Sequence, residues 1–580
     1  MTDASSNRDE RSDRAAGHSV GGVMSPPPPP PPPGQPVAPP RPASDPARQG
    51  ATLVAAGIFL SRIFGLARQR VLAHFLGTSP AADAFNAALR IPNFLQNLFG
   101  DGILSASFIP VYARLLAQDD DAQARHVAGA VAALLAIVTS VLVLIGVLAT
   151  PALTDLIAPG FSGAKRDLTI RLVRILFPGA GLLVLSAWCL GVLNSHRRFF
   201  LSYSAPILWN VAIIVTLFAV GGRHGQFPLA VAAAWGSVVG SALQLLVQLP
   251  TVLRVMPHFR PVFDTTSTNV RTVFRNFGPV FLGRGVVQVS AFIDTILASL
   301  LPTGAVAALA NAQTLYMLPV SLFGMSVSAA ELPAMSATVG DDAEVASALR
   351  ARLDSGLRHI AFLVVPSAMA FLTLGDVVAG ALFQTGQFRR TDTVWVWGIL
   401  AGSAIGLLAT TLGRLYSSAY YALRDTRTPL RFALVRVTLT VVLGYLFAIV
   451  LPPHLGVDAR WGAAGLTASA GLAGWVEFTL LRRALNQRIG HTGLPVAFVT
   501  ALWGTAGAAA TVAWGAKLAL APLHPILTAM VVLVPYATVY VGAALALRLP
   551  EVDVVRRRLG FRPARPRADH RERKSAPRAG

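Results

Sequence analysis

From Ala51 to Leu547, apolar stretches long enough to cross a bilayer recur, separated by short basic or turn-forming connections. A spanning helix needs roughly 20 apolar residues, and about fourteen such stretches can be placed, near 51–76, 82–116 with a break, 126–150, 172–194, 204–221, 229–253, 276–301, 305–335, 357–384, 394–423, 431–451, 462–482, 495–520 and 524–547. The pattern predicts an all-α integral membrane protein. Composition agrees: of 580 residues, 53% are hydrophobic and 13% charged, which excludes an ordinary soluble domain.

A repeat runs through the pattern. Leu76, Thr78, Ala82, Asn86 and Ala87 recur 225 residues later as Leu301, Thr303, Ala307, Asn311 and Ala312, and a similar shift carries the loop around Arg197 onto that around Arg424. Six spans separate the copies, so both halves enter the membrane in the same direction, a parallel duplication of the kind transporters use. The expected organisation is an N-lobe over 51–253 (helices 1–6), a C-lobe over 274–482 (helices 7–12) and two added helices over 495–547. Residues 1–50, with eight prolines from Pro26 to Pro33, read as a disordered tail of partly polyproline II character, and 548–580 as a basic tail.

Net charge is +21. In a soluble chain that would suggest nucleic acid, but here the arginines sit in short loops, and membrane topology accounts for them without a nucleic-acid partner. With the N-terminus inside, the inner loops hold the larger share, among them Arg197, Arg198, Arg254, Arg350, Arg424, Arg482 and Arg488. Both termini are then expected in the cytoplasm. The single cysteine, Cys189, lies in an apolar span and reads as core.

Some charges fall inside spans. The first places Arg62 near its middle and Arg68 further along, with Ser61, Gly65 and Arg68 on one face. An isolated arginine at that depth costs about 2.5–3.5 kcal/mol on insertion scales, so such a face belongs against protein or water. The second carries Asp83, Asn86, Arg90, Asn93 and Asn97 as one polar stripe, with Pro92 inside it and Gly100, Asp101 and Gly102 below. Asp83 could pair with a nearby arginine and merely join two helices. Three arginines against one acid leave an excess of positive charge, which a water-filled cationic cavity accommodates. The seventh span adds Arg284, Gln288 and Asp294, and the eighth Asn311, Gln313, Thr314 and Glu331; about 15 Å of helical rise separates Arg284 from Asp294, too far for direct pairing. Asp376, Arg414, Glu477 and Lys517 read as snorkelling or paired structural charges.

Catalytic chemistry is missing from the pattern. No phosphate-binding loop ends in Lys-Ser or Lys-Thr, no histidine pair has metal-binding helical spacing, and no Ser or Cys sits in a nucleophile motif. The expectation is a transporter, not an enzyme.

The blocks SRIFGLAR (Ser61–Arg68), ADAFNAALRIPN (Ala82–Asn93), FGDG (Phe99–Gly102), IDTILASLLPTG (Ile293–Gly304), LFQTGQF (Leu382–Phe388) and YALRDTRTP (Tyr421–Pro429) together resemble the MurJ (MviN) family of lipid II flippases. The resemblance covers about 51–547. It implies a fourteen-helix exporter fold, with two six-helix lobes around a central cationic cavity and helices thirteen and fourteen forming a groove for a lipid tail. Alternating access would carry lipid II to the outer leaflet of the bacterial cytoplasmic membrane for peptidoglycan synthesis. It implies that Ser61, Arg62, Arg68 and Asp83 are needed for activity, with Arg90 and Asn93 on the same cavity wall. Asp294 and Asp425 are the conceivable counterparts of sodium-binding acids in some relatives, with Na+ or the membrane potential as driving force. The expected partners are lipid II, membrane lipids and proteins of cell-wall synthesis, and the chain is expected to act as a monomer. This sequence departs from the family at two places: Gln96 and Asn97 replace a basic pair, and Ala312-Gln313-Thr314 stands where the family has Ala-Asp-Arg. Arg284 is a candidate replacement for the missing cation. A paralogous exporter of another polyprenyl-diphosphate glycan and a non-transporting scaffold are the alternatives.

Overall fold

Helix starts follow from local capping chemistry. The Asp120 carboxylate accepts from the Gln123 amide at 3.1 Å and that of Asp341 from the Glu344 amide at 2.7 Å, while the Arg389 amide donates to Asp392 at 2.7 Å. Each satisfies an N–H that a helix start leaves orphaned. In chain order the helices are α1 (Asp45–Leu76), α2 (Pro80–Phe99), α3 (Ile109–Ala117), α4 (Asp121–Leu148), α5 (Thr150–Ile157), α6 (Gly163–Ser195), α7 (Phe199–Ser204), α8 (Pro206–Val220), α9 (Gln226–Val255), α10 (Thr268–Ser299) and α11 (Ala305–Pro319). A π-helical turn, Val320–Met325, leads into α12 (Ser326–Ser336). Then come α13 (Asp342–Phe383), α14 (Arg390–Ala422), α15 (Arg427–Tyr445), a second π turn (Leu446–Val450), α16 (Leu451–His454), α17 (Gly462–Ile489), α18 (Val496–Ala519) and α19 (Pro525–Ala546).

This computed structural model describes residues 45–99, 104, 106–222, 224–337, 341–519, 523–549 and 551–552, with side chains except at 45–55 and 278–291. Nearly all of the proline-rich tail, nearly all of the basic tail and the Gly100–Gly102 part of the FGDG block lie outside the described residues. So does the side chain of Arg284, although its backbone is part of α10.

Among the described residues there is no strand, and eleven helices are long and apolar enough to cross a membrane. The three further stretches assigned from sequence correspond to α1, α2 and α10, the helices with internal charges. Some boundaries move. The fourth span, expected from 172, begins at Gly163, which takes Lys165, Arg166 and Arg171 out of a loop and into a helix. Pro92 does not end α2, which runs on to Phe99.

The loops around Arg197 and Arg424 stop their helices in the same way. Arg197 and Arg424 both have φ of +59°. In the first turn the Arg197 amide bonds to Asn194 O at 3.0 Å and that of Arg198 to Leu193 O at 2.8 Å. In the second, Arg424 bonds to Tyr421 O at 3.0 Å and Asp425 to Tyr420 O at 2.9 Å. Both are the same left-handed helix stop, a conformation that costs an arginine more than it would a glycine. The same stop also ends the helices before Asp119 and Arg548, so it is a general way this chain ends a helix.

The C-lobe core runs continuously into the last two helices. Tyr536 and Tyr540 of α19 donate to the carbonyls of Pro366 and Phe362 in α13, both at 2.7 Å, and Lys517 of α18 pairs with Asp376 of α13 at 2.6 Å. Glu477 likewise pairs with Arg436 at 3.2 Å, so these isolated charges find structural partners. Between α14 and α17 the backbones touch: a Cβ on Gly406 would lie 2.3 Å from the Gly471 Cα. Small residues allow this close approach where lipid offers no hydrophobic drive to hold helices together.

Gly406→Leu is therefore expected to destabilise the C-lobe by at least the about 1–3 kcal/mol typical of overpacking, read as a lower thermal transition and loss of a monodisperse elution peak. Gly542→Ala, which meets nothing within 4 Å, should leave both unchanged.

Candidate functional site

Asp83 stands in the first turn of α2 and is 1% exposed. Its carboxylate accepts from the backbone amides of Gly304 at 2.7 Å and Ala307 at 2.9 Å, and from Lys165 Nζ at 3.1 Å. Gly304 precedes α11 with φ of +98° and has no side chain to cap that helix. The N-lobe thus caps a C-lobe helix, placing a negative group at the positive end of its dipole. Lys165 completes the charge balance and also lies 4.0 Å from the Phe161 ring centroid.

The same end of the bundle carries a belt of polar contacts between the lobes. Thr78 Oγ1 donates to Asp392 at 2.6 Å, the Gln387 amide to His74 O at 2.8 Å, and Arg70 to the carbonyls of Ala381 and Leu382 at 2.8 and 2.9 Å. His74 Nδ1 meets Thr385 Oγ1 at 2.9 Å, Gln69 donates to Asn311 at 2.8 Å, and the Gly160 amide to Ser299 Oγ at 3.2 Å. Together these make a closed gate. The α13 carbonyls that Arg70 takes belong to the orphaned last turn of that helix, so here too a helix end is satisfied from the opposite lobe.

Asn93, ten residues beyond Asp83 and about 15 Å further along the helix, faces a cavity of about 490 Å³. Ser61, Arg62, Gly65 and Arg68 of α1, Asn93 and Gln96 of α2, and Thr314 of α11 line it, with walls from α6, α8 and α9. The Arg68 guanidinium stacks 4.6 Å from the Trp209 ring centroid, and its buried Nε has no hydrogen-bond partner. Gln244 donates to Ser186 at 3.0 Å, and Asn210 Oδ1 is buried without a partner. Among the described residues the wall therefore offers two cations, an aromatic face and two unpartnered polar atoms.

Of the expected site residues, Ser61, Arg62, Arg68 and Asn93 come together on this wall. Asp83 does not, which corrects its expected place: it belongs to the gate, and its cationic partner is Lys165, not an arginine. Arg90 lies between gate and cavity, donating to Gln313 Oε1 at 2.6 Å, and Gln313 in turn donates to Asp294 at 3.4 Å. The stripe on α2 is thus three sites in succession.

Asp294 and Asp425 are not brought together. Asp294 lies near the gate end of α10. Asp425 follows α14, whose first turn holds Asp392 of the gate and whose 33 residues rise about 50 Å. Asp425 accepts from the amides of Arg427 and Thr428, the Thr428 hydroxyl and Arg488. The Thr428 hydroxyl and amide, with Arg488 beside them, hold its carboxyl well below the usual carboxylate range. It is a cap for α15. Among the described residues no three His, Cys, Asp or Glu converge as a metal site.

Sequence reasoning missed Trp209, Asn210, Gln244 and Ser186. The same signal, polar side chains inside apolar spans, was present for all but the tryptophan.

A multi-span helical bundle with a polar cavity sealed from one end by an interlobe gate is the architecture of a membrane transporter. Comparisons with known proteins make this specific. The chain belongs to the MurJ family: the profile described as Lipid II flippase MurJ matches residues 72–533. The lipid II flippase MurJ of Burkholderia cenocepacia is 32% identical over 436 residues, 74% of this chain and 82% of that protein. The probable lipid II flippase MurJ of Vibrio cholerae is 28% identical over 469 residues, 79% and 87% of the two chains. A solved lipid II flippase MurJ in an inward closed conformation superposes with a TM-score of 0.71 at 21% identity, covering 88% of this chain and 99% of that one. An inward-facing multidrug resistance transporter of the MATE family gives 0.59 at 17% identity, covering 75% and 98%. These two structures share the fold.

Asp83→Ala removes the buried partner of Lys165 and the cap of α11, a loss of about 3–5 kcal/mol from the closed gate. In a Cys189→Ala background, Ser299→Cys, at a position 2% exposed in the gate, should be inert to a membrane-impermeant maleimide with Asp83 present and label rapidly once it is replaced.

Proposed function

We propose that this chain is a flippase that moves the diphosphate-linked peptidoglycan precursor lipid II from the inner to the outer leaflet of the bacterial cytoplasmic membrane. The observation that carries the proposal is the pairing of an arginine-bearing cavity with a closed gate about 15 Å away along α2, in a member of the MurJ family. A diphosphate is multiply anionic, and guanidinium forks bind its oxygens bidentately. Arg68, held on Trp209 with Nε unpartnered, is preorganised for such a contact.

The departures from the family pattern lie at this cavity. Gln96 and Thr314 both line it, so among the described residues its positive charge rests on Arg62 and Arg68. Neutral hydrogen-bonding groups at those two positions suit the sugar and peptide portions of the substrate. The family match favours lipid II over another polyprenyl-linked glycan.

The arginine-rich loops cluster at the end away from the gate, which favours a cytoplasmic cavity mouth, an outward-facing gate and cytoplasmic termini. In that orientation an anionic headgroup moves outward down an inside-negative potential, which supplies about 2.3 kcal/mol per charge per 100 mV. We assign the driving force to this potential.

Depletion of the resident flippase in a host cell, with this chain supplied in its place, tests the reading. The wild type should restore growth. Arg62→Ala and Arg68→Ala should each reduce headgroup export by about tenfold or more, the loss of one hydrogen bond to a charged group. A correctly inserted wild type that fails to rescue would redirect the proposal to a different glycolipid, and harmless arginine replacements would point to a scaffold.

A further inference from the structure

A second polar feature lies outside the cavity and the gate. On α6 the residues Leu172 and Val173 are buried in the N-lobe while Arg171 and Arg174 are exposed, so the arginines occupy the outer face of a membrane helix. Arg171 is eight residues from the start of α6 and Arg174 eleven, about 12 and 17 Å along the axis. A 33-residue helix spans about 50 Å, against about 30 Å for the hydrocarbon layer. Both guanidinium stems therefore start at or below the headgroup level.

These side chains border a groove of about 680 Å³ between α6 and α9, lined by Asp167, Ile170, Arg171, Arg174, Ile175, Pro178, Trp235 and Val238. Two backbone features shape it. Pro178 lacks an N–H, which leaves the Arg174 carbonyl without its helical bond. At Gly179 the two helices approach closely, a Cβ there lying 3.4 Å from the Val238 Cα. The groove thus has an apolar floor and a rim of two arginines and one aspartate, cationic on balance. Among the described residues neither Arg171 nor Arg174 has a hydrogen bond or ion pair, Asp167 included, and the indole N–H of Trp235 has no acceptor.

We propose that this groove binds an anionic phospholipid from the leaflet at the gate end, its phosphate held by Arg171, Arg174 and the Trp235 indole, and its acyl chain lying on Ile175, Pro178 and Val238. The charge and the shape agree. Three unpaired donors call for an anion rich in acceptor oxygens, a tryptophan at a membrane interface favours the headgroup level, and the floor suits hydrocarbon. The site differs from the transport cavity, which lies further from the gate and inside the bundle. It shares α6 with Lys165, so an occupant sits three turns or less from the gate's buried ion pair.

Native mass spectrometry of the purified full-length protein, titrated with phosphatidylglycerol and with phosphatidylcholine of identical chains, tests this. The wild type should bind one phosphatidylglycerol about tenfold more tightly than phosphatidylcholine, the effect of roughly one charge-assisted hydrogen bond. The double variant Arg171→Gln/Arg174→Gln should lose that preference. Arg254→Gln/Arg271→Gln, which removes the same charge elsewhere, should keep it. Inorganic phosphate at millimolar concentration should not displace the lipid. Equal uptake of both lipids by the wild type overturns the site whatever the variants do. So does an unchanged preference in the double variant, which would mean that the arginines only snorkel to the interface, and so does displacement by free phosphate.

Discussion

The fold is organised around one buried carboxylate. Asp83 is buried away from bulk solvent, and the α11 start has no side chain of its own to cap it, because Gly304 occupies the position where a capping residue would stand. Each deficiency is met by the other only when the lobes are closed at this end. Gly304 is required by the contact itself: its φ of +98° suits glycine, and a Cβ would lie 2.5 Å from the Thr78 carbonyl oxygen. A buried charge with a helix dipole, two amides and a lysine around it is a strong local constraint, and the remaining gate contacts are spaced along α1, α10, α13 and α14 around it.

Because that constraint acts at one end, the other end can hold a cavity. The α2 stripe passes from Asp83 in the gate, through Arg90 and its Gln313 partner, to Asn93 on the cavity wall. A single helix therefore connects sealing and binding. Opening the gate must rehydrate Asp83, Lys165 and the first amides of α11 together, so the transition has the two discrete packings that switching elements require. The π turn that begins at Val320 lies three residues beyond Met317 of the cavity wall, and such turns recur where helices serve function.

The cavity reaches its electrostatic character with few charges. Among the described residues Arg62 and Arg68 are the two cations on the wall, and Trp209 supplies a face on which Arg68 is held without a carboxylate to neutralise it. That leaves its charge available to an anionic guest. Stacking on an aromatic ring costs the guanidinium none of its fork geometry, whereas an acid at Thr314 or Gln96 would have consumed it.

Much of this was legible in the chain itself. Apolar periodicity fixed the membrane class and most spans, and helical spacing put Ser61, Arg62, Arg68 and Asn93 on polar faces, because these follow from helix geometry alone. The blocks IDTILASLLPTG and LFQTGQF were recognisable as strings, but nothing in them says that Ser299, Gly304, Thr385 and Gln387 form a gate. That depends on which helix ends meet across the lobes. For the same reason Asp83 was read with the cavity and Asp425 with an ion site: their partners, Lys165 and Arg488, lie 82 and 63 residues away in sequence. Sequence determined which helices form and which of their faces are polar. Only the tertiary structure decided what each polar group meets, since a buried charge takes its role from the groups that satisfy it and those come from elsewhere in the fold.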